Sequence, residues 1–372
     1  MKGVSLQPSE SIVFTLRSLY DSFGYSRYKM NKFEEYDLYA RNKDFLISDG
    51  VITFTDTNGK LMALKPDVTL SIVKNTKDVC GEVQKLYYNE NVYRVSKGTH
   101  SFKEIMQVGL EAIGDIDDYC IYEVIKLACD SLVSTQKNCI LEVSHLGIIS
   151  DVISYIGIPS DEKEKILHFL GEKNVHELKN TCEKLGIDEE KSSLLTQLAA
   201  VYGSPDEVLA RVNDLLCGIV DEKTLSGFTK IVSALNASDR KDIIRIDFSI
   251  VSDMRYYNGF VFKGYAQGVS SSILSGGQYD TLMKKMNRKS GAVGFAVYLD
   301  ILEQLSTSSK YDVDTLVIYD ALSDISQIEK AVKTVADGGE SVMLQRKIPS
   351  GIKYRRLVKI INGEVKTVEN DA

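Results

Sequence analysis

Cysteine and histidine are scarce in this 372-residue chain, and neither is placed to hold a metal. The six cysteines, Cys80, Cys120, Cys129, Cys139, Cys182 and Cys217, form no CxxC pair and have no histidine at ligand spacing. That excludes the common structural zinc sites and reads as reduced thiols packed in a core. Long apolar runs are missing too. No stretch approaches the roughly twenty residues of a membrane span, and the opening MKGVSLQPSES has no apolar segment of the secretory kind. The expected location is therefore the cytoplasm. Positive charge is not in excess: the net charge is −7, so no global field draws the chain onto phosphate backbones, and a dedicated nucleic-acid binder is disfavoured. What the chain does have is 44% hydrophobic residues, enough for the cores of about two or three domains.

The hydrophobic pattern divides the chain. Ser9 or Ser11 can cap a helix with Ile12, Val13, Leu16, Leu19, Tyr20 and Phe23 on one face and Gly24 as its stop. Short strand-like runs at Val51 to Thr55 and Leu61 to Leu64 flank Asp56-Thr57-Asn58-Gly59, a hairpin signature. Strands at Gln84 to Arg94 and Ile105 to Ile113 enclose a polar loop. A helix capped by Asp117 or Asp118 and a strand at Cys139 to Val143 follow. From 151 to 240 the pattern is helical and charge-rich, with no strand-like run. Strand character then returns at Ile243 to Phe248, Tyr256 to Tyr265 and Ala292 to Ala296, with SGGQYD reading as a turn. Strands on both sides of a helical block predict one interrupted antiparallel sheet. The expected organisation is a core of 1–150 and 241–310, a helical insertion of 151–240, and a small α/β unit of 311–372.

The polar residues that stand out on strand-like segments are Asp67 and Thr69 in LKPDVTL, Arg94, Gln107, Glu111 and the Tyr256-Tyr257 doublet. Strand residues four apart share a face, so Gln107 and Glu111 point the same way. A polar face buried in a sheet either binds something polar or carries an unfavourable desolvation. The alternative is a solvated face, usual where an antiparallel sheet has one wet side. Which of Tyr256 and Tyr257 points inward stays open, because a one-residue slip exchanges them.

In this order LKPDVT, YYNENVYR, QVGLEAIG, LEVSHLG, VSDMRYYNGFVFKGY, SGGQYD and GAVGFAV resemble the catalytic core of histidyl-tRNA synthetase, a class II synthetase. They resemble still more the regulatory subunits of ATP phosphoribosyltransferase, its non-synthetase relatives. The resemblance covers about residues 8 to 305. It implies an α+β fold of the class II aminoacyl-tRNA synthetase type: an antiparallel sheet of six or seven strands flanked by helices, a helical insertion, a homodimer, and a shortened anticodon-binding-like C-terminal unit. It also implies a histidine pocket, with Asp67 and Thr69 toward the amino group, Gln107 toward the amino acid backbone, Glu111 and Tyr257 toward the imidazole, and Arg94 and Tyr256 beside them. A carboxylate and a phenol together can bond both ring nitrogens.

Measured against that pattern, the cationic groups that hold ATP are depleted. The motif 2 arginine is present as Arg94, but the expected glutamate is Ser96 and Lys103 is a poor substitute for a loop arginine. The histidine-specific arginine aligns with Ser252, and the motif 3 arginine after Asp300 is Ile301. Adenylate formation leans on such cations. The resemblance thus implies a non-catalytic regulatory subunit that needs no cofactor or metal, pairs with the short catalytic subunit of ATP phosphoribosyltransferase in histidine biosynthesis, and senses histidine. An active histidyl-tRNA synthetase and a paralogue serving another protein or an RNA are the alternatives. Arg346, Lys347, Lys353, Arg355, Arg356 and Lys359 form a basic stretch that either docks phosphate or is a solvated or subunit-docking face. His100 is expected in a loop, His145 as structural or near the pocket, and His168 and His176 as incidental on the insertion.

Overall fold

The structure is a computed structural model that describes residues 8–43, 46, 50–96, 101–251, 254, 256–305, 311–320, 324–336, 340–361 and 364–370. It divides into two compact units, Pro8–Leu305 and a C-terminal one beginning after Leu305.

The first unit opens with α1 (Pro8–Ser22), and its apolar stripe buries Leu16 and Tyr20 completely. The helix starts at Pro8, so Ser9 and Ser11 lie within its first turn and do not cap it from outside. Gly24 ends the segment with φ +78, the left-handed conformation that glycine adopts at least cost. A short edge strand β1 (Ser26–Arg27) follows. After it, β2 (Phe33–Glu35), α2 (Tyr36–Arg41), β3 (Thr53–Thr55) and β4 (Leu61–Leu64) build a three-stranded sheet in which the Asp56–Gly59 turn joins β3 to β4 as read from sequence. Then come α3 (Thr69–Asn75), the long antiparallel pair β5 (Val83–Val95) and β6 (Phe102–Gly114), α4 (Asp118–Thr135) and β7 (Cys139–His145). Asp117 caps α4 by accepting from Cys120 N at 2.8 Å.

Helices α5 (Leu146–Ile156), α6 (Lys163–Gly171), α7 (Val175–Lys184), α8 (Glu189–Ala199), α9 (Pro205–Leu216) and α10 (Glu222–Asn236) fill the middle of the chain. The expectation of no strand here fails at one point: Tyr202–Gly203 forms β8, antiparallel to β9 (Ile244–Asp247). Two residues are too few for strand periodicity to register in the sequence. The unit closes with β10 (Phe260–Ala266), β11 (Leu274–Gln278), α11 (Asp280–Lys285), β12 (Gly291–Tyr298) and α12 (Leu299–Leu305).

The main sheet has nine strands in the order β1-β5-β6-β12-β11-β10-β7-β9-β8. It is mixed, which corrects the expected all-antiparallel sheet. β1 runs parallel to β5, and β7 parallel to β9, because α5 to α10 carry the chain from the end of β7 back to the start of β9. One face of this sheet, with Tyr87, Leu110, Phe295, Phe262 and Val143, packs on α4 and α1 as the principal core. The other face, with Tyr88, Gln107 and Glu111, faces away from that core, and the site is built on it.

In the second unit β13 (Val313–Ile318), α13 (Ile325–Ala336), β14 (Val342–Gln345), β15 (Tyr354–Ile361) and β16 (Glu364–Asn370) form a four-stranded sheet ordered β14-β13-β15-β16 with one helix. Val317, Val358 and Ile360 lie in one apolar group, and Val313, Leu316 and Leu357 in another.

Candidate functional site

All seven sequence-derived candidates, Asp67, Thr69, Arg94, Gln107, Glu111, Tyr256 and Tyr257, line one pocket of about 770 Å³, a volume that includes open solvent. Their local settings differ from those read in the sequence. Arg94, Gln107 and Glu111 do sit on β5 and β6. Asp67 lies in the loop before α3, Thr69 is the first residue of that helix, and the Tyr256-Tyr257 doublet precedes β10. The β-branched Thr69 and the aromatic doublet have strand propensity, but the backbone is committed elsewhere: the Asp67 carboxylate accepts from Leu70 N at 2.9 Å and fixes the helix start. Both tyrosines line the pocket, so neither arm of the Tyr256-or-Tyr257 alternative holds alone.

Glu111 is the centre of the arrangement. It is 2% exposed; its Oε1 accepts from Thr69 Oγ1 at 2.8 Å and its Oε2 from Tyr279 OH at 2.6 Å. Burial pushes its carboxyl up to about 8, against the pull of those two hydroxyl donors. Space for the carboxyl comes from the strand alongside. Gly294 lies opposite Glu111 in the β12–β6 register, and a Cβ there would stand 1.8 Å from Glu111 Oε2.

Asp67 is also buried, and burial raises its pKa against the Leu70 N–H bond and the charge of Arg94. Arg94 Nε donates to Pro66 O at 3.1 Å, tying the base of this loop to β5. Burial likewise pushes the phenols of Tyr88, Tyr256 and Tyr279 well above their ordinary value, so all three stay protonated donors at neutral pH. Two buried carboxyls walled by phenols suit a ligand with two nitrogen-bearing groups a few ångströms apart. An amine would meet Asp67, and a ring nitrogen would meet Glu111.

Sequence reasoning missed Tyr88 and Tyr279. Tyr88 could have been found, because it shares a sheet face with Gln107 and Glu111 once β5 and β6 are paired, with Tyr88 opposite Gly109. Tyr279 was hidden by the reading of SGGQYD as a turn. Leu274–Gln278 is in fact a central strand, and its glycines serve close approach: a Cβ on Gly277 would stand 2.8 Å from the Tyr257 ring.

The residues outside the pocket also settle. His145 is a helix cap: Nδ1 accepts from Ile148 N at 3.2 Å at the start of α5, and the ring meets the edges of Phe260 and Phe228. Burial lowers its pKa to about 4. Because this folded value lies below the unfolded one, its contribution to stability is intact above about pH 6.5 and is lost as pH falls toward 4, by roughly 3 kcal/mol in all. Urea unfolding at pH 7 and pH 5 should show the wild type losing more stability than His145→Asn, which keeps a capping acceptor but does not titrate. Arg355 and Arg356 of the basic stretch both bind Glu340, each at 2.7 Å, so these two charges are paired within the unit, which weighs against the phosphate-docking alternative. His100 and Ser252 lie outside the described residues. Among the described residues no group of His, Cys, Asp and Glu is arranged to hold a metal ion.

A family model described as histidyl-tRNA synthetase matches residues 6–302. The chain belongs to the histidyl-tRNA synthetase family. Within it, the chain is 29% identical over 329 residues to the ATP phosphoribosyltransferase regulatory subunit of Clostridium kluyveri, covering 85% of this chain and 84% of the relative. It superimposes with a TM-score of 0.75 and 23% identity on an ATP phosphoribosyltransferase regulatory subunit/histidyl-tRNA synthetase from Bacillus halodurans, spanning 96% of each chain. A chain of the ATP phosphoribosyl transferase (HisG:HisZ) complex from Thermotoga maritima matches with a TM-score of 0.61 and 20% identity, over 80% of this chain and 98% of that one. These likenesses establish the α+β, histidyl-tRNA synthetase-like fold. For a histidyl-tRNA synthetase family member, the loss of the motif 3 arginine has a physical counterpart: Ile301 is packed against the principal core on α12. An apolar side chain there supplies no charge to a nucleotide.

Proposed function

We propose that this chain is a non-catalytic regulatory subunit of ATP phosphoribosyltransferase, acting at the first step of histidine biosynthesis together with the short catalytic subunit, and that its pocket holds histidine. The observation that carries the proposal is the asymmetry of the pocket. The groups suited to an amine and an imidazole, Asp67, Thr69, Gln107, Glu111 and the tyrosines, converge in it, whereas among the described residues that line it Arg94 is the one basic side chain. The positions that would complete an ATP clamp are Ser96 and Ile301. The names of the relatives support the assignment to the regulatory subunits. Tyr257, resting on Gly277, closes the pocket beside the imidazole position, and Arg94 with Gln107 forms the end that meets the ligand's carboxylate.

In this reading the subunit acts as a homodimer of its synthetase-like unit, in the cytoplasm and without nucleic acid, the last in keeping with its net charge of −7. No described helix is long and apolar enough to cross a membrane. A pocket that binds histidine differently in two assembly states couples histidine concentration to the partner's activity. The test mixes the purified chain with the short catalytic subunit and follows phosphoribosyl transfer to ATP with and without histidine, alongside histidine-dependent pyrophosphate exchange. Activation of the partner, its modulation by histidine and no exchange are expected. Exchange at a synthetase's rate, or no complex with the partner, would overturn the proposal.

A further inference from the structure

We propose that Lys65 and Glu90 are positioning residues for the pocket: their ion pair, enclosed between the end of β4 and the pocket face of β5, holds the loop that presents Asp67. This goes beyond the histidine reading of the pocket and rests on it only for the ligand used in the affinity measurement.

Lys65 directly follows β4, and its side chain is 1% exposed. A lysine is almost never enclosed to that degree without a partner. The partner is Glu90 on β5, 15% exposed, whose Oε2 accepts from Lys65 Nζ at 2.5 Å. Burial is the largest influence on the ammonium group and lowers its pKa; Glu90 and Glu34 pull it up, and Lys32 pushes it further down. Glu90 is the register partner of Gln107 on β6 and stands two residues from Tyr88, so it belongs to the sheet face on which the pocket is built. An enclosed pair of this kind gives little net stability, because desolvation of the two charges offsets their attraction. What it supplies is a fixed link between two segments.

The segment so held is short and leads straight into the pocket. Lys65 N donates to Lys32 O at 3.2 Å, and Lys65 O accepts from Tyr93 N at 2.9 Å. Pro66 has no N–H to give, and its ring narrows the backbone of Lys65 to extended conformations. Pro66 O accepts from Arg94 Nε at 3.1 Å. The next residue is Asp67, whose Oδ1 accepts from Leu70 N at 2.9 Å and which lines the pocket. Among the described residues, the loop is thus attached to β5 through Glu90, Tyr93 and Arg94. Without the ion pair, the attachments to Tyr93 and Arg94 remain at the adjacent carbonyls of Lys65 and Pro66, and Asp67 is free to swing about them. A binding group has to be held by its supporting contacts to within about 0.5 Å to keep its geometry toward a ligand.

The test uses the full chain. Lys65→Met combined with Glu90→Leu removes both charges at similar volume and leaves neither unpaired, so this variant should melt no lower than the wild type. Its histidine affinity should nevertheless fall about tenfold in calorimetric titration, the size of effect that a supporting residue exerts through a packed connection. Hydrogen exchange should quicken over a peptide spanning Lys65 to Leu70, because the Leu70 N–H depends on Asp67 for its acceptor, and stay unchanged over β12. Lys65→Arg alone, which keeps a charged donor for Glu90, should bind histidine at near the wild-type affinity. Should the double variant not fold, Glu90→Gln keeps an acceptor for Lys65 without the charge, and it should show the same pattern more weakly. Wild-type affinity in a folded variant would overturn the proposal. So would a loss of affinity with wild-type exchange over 65–70, which would place the effect at Gln107 opposite Glu90. If the wild type itself does not bind histidine, the histidine reading of the pocket fails, and exchange over 65–70 alone decides the role of the pair.

Discussion

Glu111→Gln should cost this protein about a hundredfold in histidine affinity while making the empty protein more stable at and above neutral pH. The two effects have one origin. Glu111 is fully enclosed, and its folded pKa of about 8 lies above the ordinary carboxylate value of 4.5. A raised folded value means that its stabilising contribution is complete below pH 4.5 and is lost as pH climbs through 8, about 5 kcal/mol over that interval. Glutamine keeps bonding capacity toward Thr69 and Tyr279 but has no charge to bury, so the alkaline loss should disappear. At neutral pH the enclosed Glu111 carboxyl is mostly protonated and can pass its proton to an imidazole, forming a charge-assisted carboxylate–imidazolium bond; the amide has no such proton to give, a loss of about 2–3 kcal/mol in a buried setting. Thermal unfolding across pH 5 to 9, with and without histidine, measures both effects. A variant that keeps its histidine-dependent melting shift would show that Glu111 does not face the ligand.

Gly294→Ala should destabilise the protein strongly and spoil the pocket. Its Cβ would lie 1.8 Å from Glu111 Oε2 and 2.4 Å from the carbonyl oxygen of Leu110. A carboxyl alone could swing aside; the Leu110 carbonyl is backbone of the neighbouring strand and cannot. β12 and β6 would have to separate at the middle of the sheet, costing about 3 kcal/mol and the shape of the pocket with it. Gly227 in α10 is the control, since a Cβ there meets nothing within 4 Å. Gly227→Ala should stabilise the helix by roughly 0.5–1 kcal/mol. Chemical denaturation of the two alanine variants gives shifts of opposite sign, and a Gly294→Ala variant with a wild-type midpoint would show that the sheet yields more easily than its geometry implies.

The elements legible in the sequence are those whose signal is local and long. α4 is capped by Asp117, one of the two aspartates expected there, and the thirteen-residue strands β5 and β6 contain the runs assigned to them. The site residues were legible through motif order, which placed seven side chains in one pocket without a correct account of the backbone under four of them. What escaped depends on partners distant in sequence. Gly276 and Gly277 carry the composition of a turn, yet they lie in a central strand because Phe295 and Tyr257 need the room a side chain would occupy. His145 has the chemistry of a ligand residue and serves a helix end. No local pattern marks β8, since two residues become a strand only when β9 is there to pair with them.

That two-residue strand also limits how the molecule can be taken apart. β8 comes from the helical middle of the chain, yet it is the last strand of the nine. Excising the helices to obtain a minimal synthetase-like unit would remove it and leave the unpaired N–H and C=O groups of β9 at a bare sheet margin. Asp247, enclosed where it stands, would be the charge left behind there. An exposed margin of this kind recruits other strands, including those of neighbouring molecules. Shortened versions of this chain are therefore expected to self-associate unless β9 is given a new cover, and a redesign that trims the helices should keep Tyr202 and Gly203.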